Sequence, residues 1–303
     1  MSDAIDKTGN LAQAMEHAKQ LLDHDLQQAA LQLEEILAAV PDYAPAHFLK
    51  AVVLGQQQRG EQAIQALEKV LALDANHPEA WRLLADHSAA IGDKAASESA
   101  YLRHLQSATG NPNLQQAAAA MIANELPTAE RILKSHLKNA PTDVAAIRML
   151  AEVAVRVGRN DDAQALLEYC LELTPGFSGA RYNLAVLLHR TNKSDDALRE
   201  VDQLLAEEPD RPGYRNLAAV VCSRIGEYER SSQLYQALLE EYPQNAKVWL
   251  SYAHVLKTEG KREACEAAYR GAIDRDERFG EAYWSLANLK TFRFSEQDIA
   301  NMH

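Results

Sequence analysis

Apolar residues recur at steps of three and four positions along most of this 303-residue chain, and the recurrence pauses at regular intervals. Residues 178–210, SGARYNLAVLLHRTNKSDDALREVDQLLAEEPD, show the pattern, because the apolar positions stop through TNKSDD and then resume. Steps of three and four residues place side chains on one face of an α-helix. Each such stretch therefore predicts two helices joined by a short turn.

The predicted helix pair repeats at a fixed spacing. Prolines follow one another at intervals of 34 residues, at Pro141, Pro175, Pro209 and Pro243. Glycine or asparagine recurs in the same register, at Gly158, Asn192, Gly226 and Gly260. Aligned on these positions, the units comprise residues 10–43, 44–77, 78–109, 110–143, 144–177, 178–211, 212–245 and 246–279, and a partial ninth unit begins at Gly280. The chain is therefore built from internal repeats.

The size of the apolar residues predicts how the helices pack. Small residues at Ala185 and Ala197 allow the two helices of one pair to approach closely. Larger residues fill the space between neighbouring pairs, such as Leu184, Leu188, Val201 and Leu204. One pair cannot bury both of its faces, whereas a stack of pairs can. We expect Asp or Asn in the pause to cap each second helix, and the proline to mark its end.

The aligned units share a motif in which W/Y/R-x-x-L-A is followed by Gly, Ala, a large apolar residue and Pro. It occurs in AWRLLADHSAAIGD and in KVWLSYAHVLKTEGKREACEAAY. This motif resembles the tetratricopeptide repeat over nearly the whole chain. The resemblance implies an all-α fold, a right-handed α-solenoid of about eight helix-turn-helix repeats with the first helices lining an inner groove. We expect a tail over residues 1–9, the superhelix over 10–290, and a cap or lead-in helix over 291–303.

Composition and charge exclude several classes of function. Hydrophobic residues make up 47% of the chain but aromatic residues only 6%, which favours close helix packing over a sheet core. The formal net charge of −12 would repel phosphate backbones, so nucleic acid is not an expected partner. No apolar run reaches the length of a membrane span, and the first residues lack a signal-peptide pattern. We therefore expect a cytoplasmic protein that does not enter membranes.

The sequence carries no recognisable catalytic or metal-binding motif. It has no glycine-rich phosphate loop, no HExxH and no G-x-S-x-G, and its histidines form no i, i+4 pair. The three cysteines, Cys170, Cys222 and Cys265, fall at packing positions and form no CxxC pair. We therefore expect neither an enzyme nor a cofactor in this chain, and we expect the cysteines to fill the core.

The tetratricopeptide resemblance implies that binding uses the groove formed by the first helices. In that family, slots 2, 5, 6, 9, 12 and 13 of the first helix face the groove. In this sequence the slots place a predicted peptide-binding set at Arg148, Arg156, Tyr182, Asn183, His189, Arg190, Asn216, Arg224, His254, Lys257, Trp284 and Asn288. The expected partner is a protein or peptide, with a second copy of the chain as a further candidate.

Three of these residues, Arg156, Arg190 and Arg224, repeat at 34-residue intervals and form a basic stripe in an acidic protein. Two interpretations remain open. An Arg near the end of a helix can complement the helix dipole and stay solvated. Alternatively, the stripe binds an acidic or carboxylate-ending peptide, since Arg offers bidentate pairing. Asn183 and Asn216 favour the second interpretation slightly, because related grooves use Asn at that slot to hold a peptide backbone.

The C-terminal stretch YWSLANLKTFRFSEQDIANM, residues 283–302, raises a further hypothesis. It resembles the junction in bacterial proteins that join tetratricopeptide repeats to a sulfotransferase domain. Ser295 would cap a short helix that packs Phe292, Phe294, Ile299 and Met302 onto the end of the stack. The sequence thus indicates a peptide-binding scaffold that acts as the recruiting arm of a larger protein. The alternative is the repeat portion of a sulfotransferase, which presents an acceptor to a catalytic domain absent from this chain.

Overall fold

The computed structural model describes residues 2–22 and 24–289, and all regular structure in that part of the chain is α-helical. The helices are α1 Ser2–Leu21, α2 Leu26–Ala39, α3 Ala44–Gln56, α4 Gly60–Leu73, α5 Pro78–Ala90, α6 Lys94–Ala108, α7 Pro112–Ile122, α8 Leu126–Asn139, α9 Val144–Arg156, α10 Asn160–Leu173, α11 Ser178–Arg190, α12 Ser194–Glu207, α13 Pro212–Ile225, α14 Tyr228–Glu241, α15 Ala246–Thr258, α16 Arg262–Arg275 and α17 Gly280–Ala287. The predicted all-α repeat solenoid is confirmed.

The helix bounds follow the predicted register. Each complete unit from residue 44 onward contains one odd-numbered and one even-numbered helix, and α17 begins at the start of the partial ninth unit. At the N-terminus, α1 begins at Ser2. The predicted C-terminal helix with Phe292, Phe294, Ser295, Ile299 and Met302 lies outside the described residues.

The helices bury the residues that the size pattern assigned to the core. Ala185 and Ala197 have no exposed surface and lie in one continuous buried cluster with Leu184, Leu188 and Val201, and Leu204 is also buried. All three cysteines are free and buried, as predicted. Burial raises the pKa of each thiol to about 11, so the thiols stay protonated near neutral pH. The cysteines therefore act as small apolar core residues.

The caps lie where the sequence analysis did not place them. Side chains cap first helices at His77, Asn111, Asp143 and Asn245. Most second helices, namely α4, α8, α10, α12, α14 and α16, receive no hydrogen bond from a capping side chain. Asp25 and Asp93 are the exceptions, at α2 and α6. The expectation of Asp or Asn caps on each second helix was therefore wrong, because a backbone turn ends the first helix immediately before the second begins.

That turn requires one residue with a left-handed backbone in each unit from the second to the eighth. The positions are Gln58, Gly92, Asn124, Gly158, Asn192, Gly226 and Gly260, all with positive φ. Behind the turn at Gly158, the amide of Arg159 donates to the carbonyl of Ala154 at 2.8 Å. Glycine adopts this conformation freely and asparagine tolerates it, whereas a longer side chain is strained there. The repeating Gly or Asn of the sequence pattern is thus explained by the turn.

Gln58→Gly is expected to stabilise the protein by about 0.5–1 kcal/mol, because Gln58 has φ 58° and glycine removes the strain at a smaller cost in chain entropy. Urea unfolding followed by tryptophan fluorescence measures the change. The matched control is Gly158→Gln at the equivalent turn, where a Cβ would meet no atom within 4 Å, so that only the backbone strain changes. It should destabilise the protein by a similar amount. Two variants with unchanged stability would show that the turn conformation carries no strain.

The superhelix folds back on itself. Besides stacking on its neighbours, α5 of the third unit packs against α13 of the seventh unit. A buried cluster joins Ala90 of the third unit to Ala219, Tyr235, Leu238, Tyr242, Val248 and Val255 of the seventh and eighth. Gly213 allows the approach, since a Cβ at Gly213 would lie 3.2 Å from the Cβ of Ala89. The inner groove is therefore closed between these two units, which the sequence did not predict. We call this contact the closure.

Candidate functional site

The closure is held by polar contacts as well as by apolar packing. Arg211 donates to both carboxylate oxygens of Asp86, at 2.8 and 2.9 Å. The amide of Asn216 donates to the carbonyl oxygen of Ala89 at 2.9 Å, across 127 residues of sequence. Each of these bonds joins α5 to α13 or to the residue before it. Their geometry fixes the register between the two helices.

Tyr242 forms the buried centre of a second group of closure contacts. Its hydroxyl is hydrogen-bonded to Nδ1 of His87 at 2.7 Å, and the residue has no exposed surface. Burial lowers the pKa of His87 to about 4. On its other side the ring lies so near Gly60 that a Cβ there would be 2.3 Å from Cε1 of Tyr242. Near the surface, the backbone amide of Gln244 donates to Glu61 at 2.8 Å.

Two adjoining cavities lie on the inner face beside the closure. The Arg148 cavity has a volume of about 110 Å³ and is lined from α5, α6, α9, α11 and α13, with Arg148 among its residues. The Arg190 cavity, of about 290 Å³, includes Arg190 and Lys94. Tyr182 and Asn183 line both cavities. These spaces are what remains of the inner groove beside the contact between α5 and α13.

The three arginines of the predicted stripe have different surroundings, although each lies in the last turn of its helix. Arg156 donates to Glu152 at 2.9 Å and to the carbonyl of Met121 at 3.2 Å. Arg224 donates to Oδ1 of Asn192 at 2.9 Å. Arg190 is exposed and has no hydrogen bond or ion pair within residues 2–22 and 24–289. Of the three, Arg190 therefore has its donors available to a partner.

The structure brings together one part of the predicted peptide-binding set. Arg148, Arg156, Tyr182, Asn183, Arg190 and Asn216 line one or both cavities. Asn216 is already engaged, because its amide bonds Ala89 in the closure. His189 is half-buried beside this region, its Nδ1 atom is buried without a hydrogen-bond partner in the described residues, and burial lowers its pKa.

The other predicted residues lie away from both cavities. Arg224, His254, Lys257, Trp284 and Asn288 line neither of them. His254 contacts Oγ of Ser285 at 3.3 Å and packs its ring against Tyr269. Trp284, with 69% of its surface exposed, lies on α17 at the end of the described stack. The predicted set is thus divided between the cavities and the C-terminal end of the superhelix.

Sequence reasoning missed the residues that form the closure and the cavity wall opposite the predicted set. Asp86, His87 and Tyr101 belong to the third unit, which the slot pattern did not single out. Gly60 was the one clue in the sequence, because the equivalent position of other units is occupied by larger residues such as Asn160 and Ser194. A glycine at the start of a second helix indicates that another part of the chain approaches closely. The sequence alone does not say which part approaches.

The side chains that line the cavities are polar and charged as well as apolar. Within the described ranges, no group of three or more His, Cys, Asp or Glu side chains could hold a metal ion. In the same part of the chain, no helix combines the length and apolar character needed to cross a bilayer. The charged groups lining the cavities are arginines and carboxylates that mostly pair with one another, such as Arg156 with Glu152. The arrangement can hold a polar partner through fixed donors.

Solved structures support the fold. A structure of MamA from Desulfovibrio magneticus RS-1, from residue 41 to its end, matches with a TM-score of 0.51 and 13% sequence identity, over 54% of this chain and 93% of the solved MamA chain. A MamA AMB-1 structure matches with a TM-score of 0.51 and 19% identity, over 55% of this chain and 99% of its own. At these identities the likeness is one of fold. No curated protein matches this chain in sequence.

Family profiles identify the repeat directly. One tetratricopeptide repeat profile matches residues 20–86 and 154–221, and a second matches residues 246–279. These matches fall on the helix pairs described above and together cover more than half of the chain. The paired helices, their register and the profiles agree, and the chain belongs to the tetratricopeptide repeat proteins.

Proposed function

We propose that the protein is a cytoplasmic, non-catalytic scaffold that recruits a partner protein by binding an acidic or carboxylate-ending segment in the Arg190 cavity. The observation that carries this proposal is Arg190, an exposed arginine that has no acidic partner in the described residues and lines a cavity of about 290 Å³. An unpaired guanidinium can form bidentate hydrogen bonds with a carboxylate of the partner. The tetratricopeptide fold supplies the concave surface on which such a segment lies.

The surroundings of Arg190 support an extended peptide. Asn183 lines the same cavity, and its side-chain amide has no hydrogen bond in the described part of the chain, so it can pair with a peptide backbone. Lys94 adds a second exposed cation, whose contact with Glu98 is 3.6 Å long and weak at the surface. Apolar contact area comes from Val186 and Val220. The cavity therefore offers charge pairing, backbone pairing and apolar contact in one place.

The closure limits where a peptide can lie. A groove open along its whole length would expose Asn216, but its amide is bonded to Ala89. Arg156 is likewise paired with Glu152. A segment bound beside α11 therefore meets Arg190 and Asn183 first, and we expect these two residues to contribute more to binding than the rest of the predicted set.

The test uses octaglutamate with a fluorescent label, titrated with the full chain and followed by anisotropy. Wild type should bind saturably, and added salt should weaken the binding because the contact is between exposed charges. Arg190→Glu should weaken it at least about tenfold, which corresponds to about 1.4 kcal/mol. The matched control is Arg199→Glu, which reverses the charge of an arginine on α12 that is 70% exposed and lines neither cavity.

Equal affinities of wild type and Arg190→Glu would refute the proposed site, and equal losses in both variants would show only a general charge effect. An amidated octaglutamate separates a preference for the terminal carboxylate from one for acidic side chains. If the terminus matters, the amidated peptide binds more weakly than the free acid. If it does not, the preference is for acidic side chains alone.

The resemblance of residues 283–302 to a tetratricopeptide–sulfotransferase junction supports a second proposal, in which the cavity presents an acceptor protein to a sulfotransferase domain. Within this stretch the structure describes residues up to 289, where α17 places Trp284 at the exposed end of the stack. Reading the parent gene beyond residue 303 is the direct test. A downstream phosphate-binding loop would support the proposal, and a stop codon immediately after His303 would refute it.

A further inference from the structure

Arg148 is a buried cation in contact with aromatic rings. Only 5% of its surface is exposed, and its guanidinium carbon lies 3.7 Å from the ring centroid of Tyr101. The ring of Phe177 lies on a second side, at 5.8 Å. These contacts fix the position of the guanidinium by cation–π attraction and packing. Burial lowers the pKa of Arg148 to about 10, which still leaves the side chain charged at neutral pH.

The neighbouring carboxylates are engaged with other arginines. Both oxygens of Asp86 accept from Arg211, at 2.8 and 2.9 Å. Glu152 accepts from Arg156 at 2.9 Å, and Glu98 lies 3.8 Å from that same guanidinium. Arg148 has no ion pair in residues 2–22 and 24–289, and its Nε has no hydrogen-bond partner there. No carboxylate therefore pairs directly with Arg148, and the charge of Glu152 offsets the effect of burial on its pKa only in part.

The other buried arginine of the described chain shows the contrast. Arg215, with 7% of its surface exposed, forms an ion pair with the buried Glu241 and donates to the carbonyl of Asp210 at 3.1 Å. A buried charge is costly unless it is paired and hydrogen-bonded. Arg215 meets that condition within the protein, whereas Arg148 faces a cavity instead. An external anion would complete its surroundings.

The walls of the Arg148 cavity supply further donors. The hydroxyl of Tyr182 and the amide of Asn183 line it, and neither group has a hydrogen bond to the described residues. Gly179 keeps space open next to Arg148, since a Cβ at Gly179 would lie 3.3 Å from Nη1. A charged fork, a hydroxyl and an amide thus border one small space. This combination is suited to an oxyanion.

We propose that the Arg148 cavity binds a small free oxyanion, a carboxylate or a phosphate, through the guanidinium of Arg148, with Tyr182 and Asn183 as additional donors. The volume of about 110 Å³ is smaller than the roughly 150 Å³ of an engineered cavity that holds benzene. The ligand is therefore in the size range of acetate or inorganic phosphate.

The bound anion would also favour the closed superhelix. The cavity is bordered by Asp86 and Ala89 of α5, by Gly213 of α13, and by the helices between them. A ligand that binds only this arrangement stabilises it by a free energy that grows with the logarithm of the ratio of its concentration to its dissociation constant. Ligand binding should therefore raise the melting temperature. This effect is independent of the peptide site, because it requires neither Arg190 nor a partner protein.

The experiment titrates the full chain with sodium acetate and, separately, with sodium phosphate, each at constant ionic strength set by sodium chloride. Thermal unfolding and isothermal calorimetry are the readouts. At least one anion should raise the melting temperature, by a shift that continues to grow with the logarithm of the anion concentration, and should give a saturable binding isotherm by calorimetry. Comparison of acetate with phosphate then shows which oxyanion the cavity prefers.

Arg148→Met separates ligand binding from structural support. It replaces an unpaired buried charge by an apolar chain of similar length, so without ligand it should be at least as stable as wild type. Its affinity for the anion should fall at least about tenfold. Arg148→Lys, which keeps the charge but loses the fork, should bind at an intermediate level. The control Arg199→Met removes a cation from the outer surface and should keep the wild-type response.

Three results would overturn the proposal. The first is the absence of saturable binding of acetate and of phosphate to wild type. The second is a wild-type response in Arg148→Met, and the third is an equal loss in Arg199→Met. Failure of octaglutamate to bind would not produce any of them, since that experiment depends on Arg190 and uses a different ligand. The two sites can therefore fail independently.

Discussion

Gly60→Ala is expected to destabilise the protein by about 2–3 kcal/mol and to loosen the closure, because the new Cβ overpacks a site that is already full. That atom would lie 2.3 Å from Cε1 and 2.4 Å from Cζ of Tyr242. The ring cannot move aside easily, since Tyr242 has no exposed surface and its hydroxyl is bonded to His87. Urea unfolding measures the loss of stability, and small-angle X-ray scattering should show a larger radius of gyration.

The matched control is Gly280→Ala. Gly280 is also the first residue of a helix, but a Cβ there would meet no atom within 4 Å. This change should leave stability unaltered or raise it by up to about 1 kcal/mol, through the lower entropy of the unfolded chain. Similar effects of both substitutions would show that Tyr242 does not approach Gly60 in solution. The double variant Gly60→Ala/Tyr242→Leu should recover part of the loss if the clash is its cause.

Lowering the pH is expected to reduce the free energy of unfolding through the protonation of His87. The pKa of His87 is about 4 in the folded state and about 6.5 in the unfolded chain, so above pH 6.5 the side chain is neutral in both. As the pH falls from 6.5 towards 4, the unfolded chain binds a proton that the folded chain does not. The free energy of unfolding therefore falls by about 3 kcal/mol in total across this pH window. Below pH 4 His87 is protonated in both states, so its contribution stays constant.

Urea unfolding at several pH values between 7 and 4 measures this slope, which for one titrating group is at most about 1.4 kcal/mol per pH unit. The control is His87→Gln, which keeps a hydrogen-bonding partner for Tyr242 but cannot titrate. Burial also lowers the pKa values of His189 and His254, and these groups titrate in both proteins. The difference between the two slopes therefore isolates His87. Identical slopes would mean that His87 is accessible to protons in the folded state, and hence that the closure opens freely.

The helices and their register could be predicted because they depend on local patterns. Recurring prolines at Pro141, Pro175, Pro209 and Pro243 placed the unit boundaries, and the structure puts each of them between a second helix and the next first helix. The recurring Gly or Asn from the fifth unit to the eighth was visible in the sequence, and the positive φ at these positions explains it, whereas Gln58 occupies the same turn in the second unit. Each of these features depends on residues within one unit, so the repeating pattern of the sequence is enough to predict it.

The closure could not be predicted because it depends on accumulated geometry. Small rotations between neighbouring units add up along a solenoid, and only their sum decides whether α5 meets α13. The residues involved, such as Asp86 and Arg211, are ordinary surface types when seen in their own units. The same reason explains Asn216. Its slot predicted peptide binding, but in the structure its side-chain amide donates a hydrogen bond to the carbonyl oxygen of Ala89. The partners of such side chains lie far away in sequence, so a pattern that covers one repeat cannot identify them.

The structure also changes the interpretation of the basic stripe. From the sequence, Arg156, Arg190 and Arg224 were equivalent by position. In the structure Arg156 is paired with Glu152, Arg224 is bonded to Asn192, and Arg190 remains available. Position in the last turn of a helix is common to all three, so complementing the helix dipole does not distinguish them. What distinguishes them is a pair of contacts close in the stack, because Glu152 lies on the same helix as Arg156 and Asn192 lies in the turn of the unit before Arg224.

Disulfide cross-linking of Ala89→Cys with Gly213→Cys tests the folded-back superhelix most directly. The two Cβ atoms would be 3.2 Å apart, within a few tenths of an ångström of disulfide geometry, and the native cysteines are buried. Mild oxidation should cross-link this pair rapidly within monomers, while the pair Ala89→Cys with Gly176→Cys should remain reduced, since a Cβ at Gly176 meets no atom within 4 Å. A cross-link in the first pair alone is the predicted result. Equal failure of both pairs to cross-link, with all four introduced thiols reactive towards a maleimide, would contradict the closure.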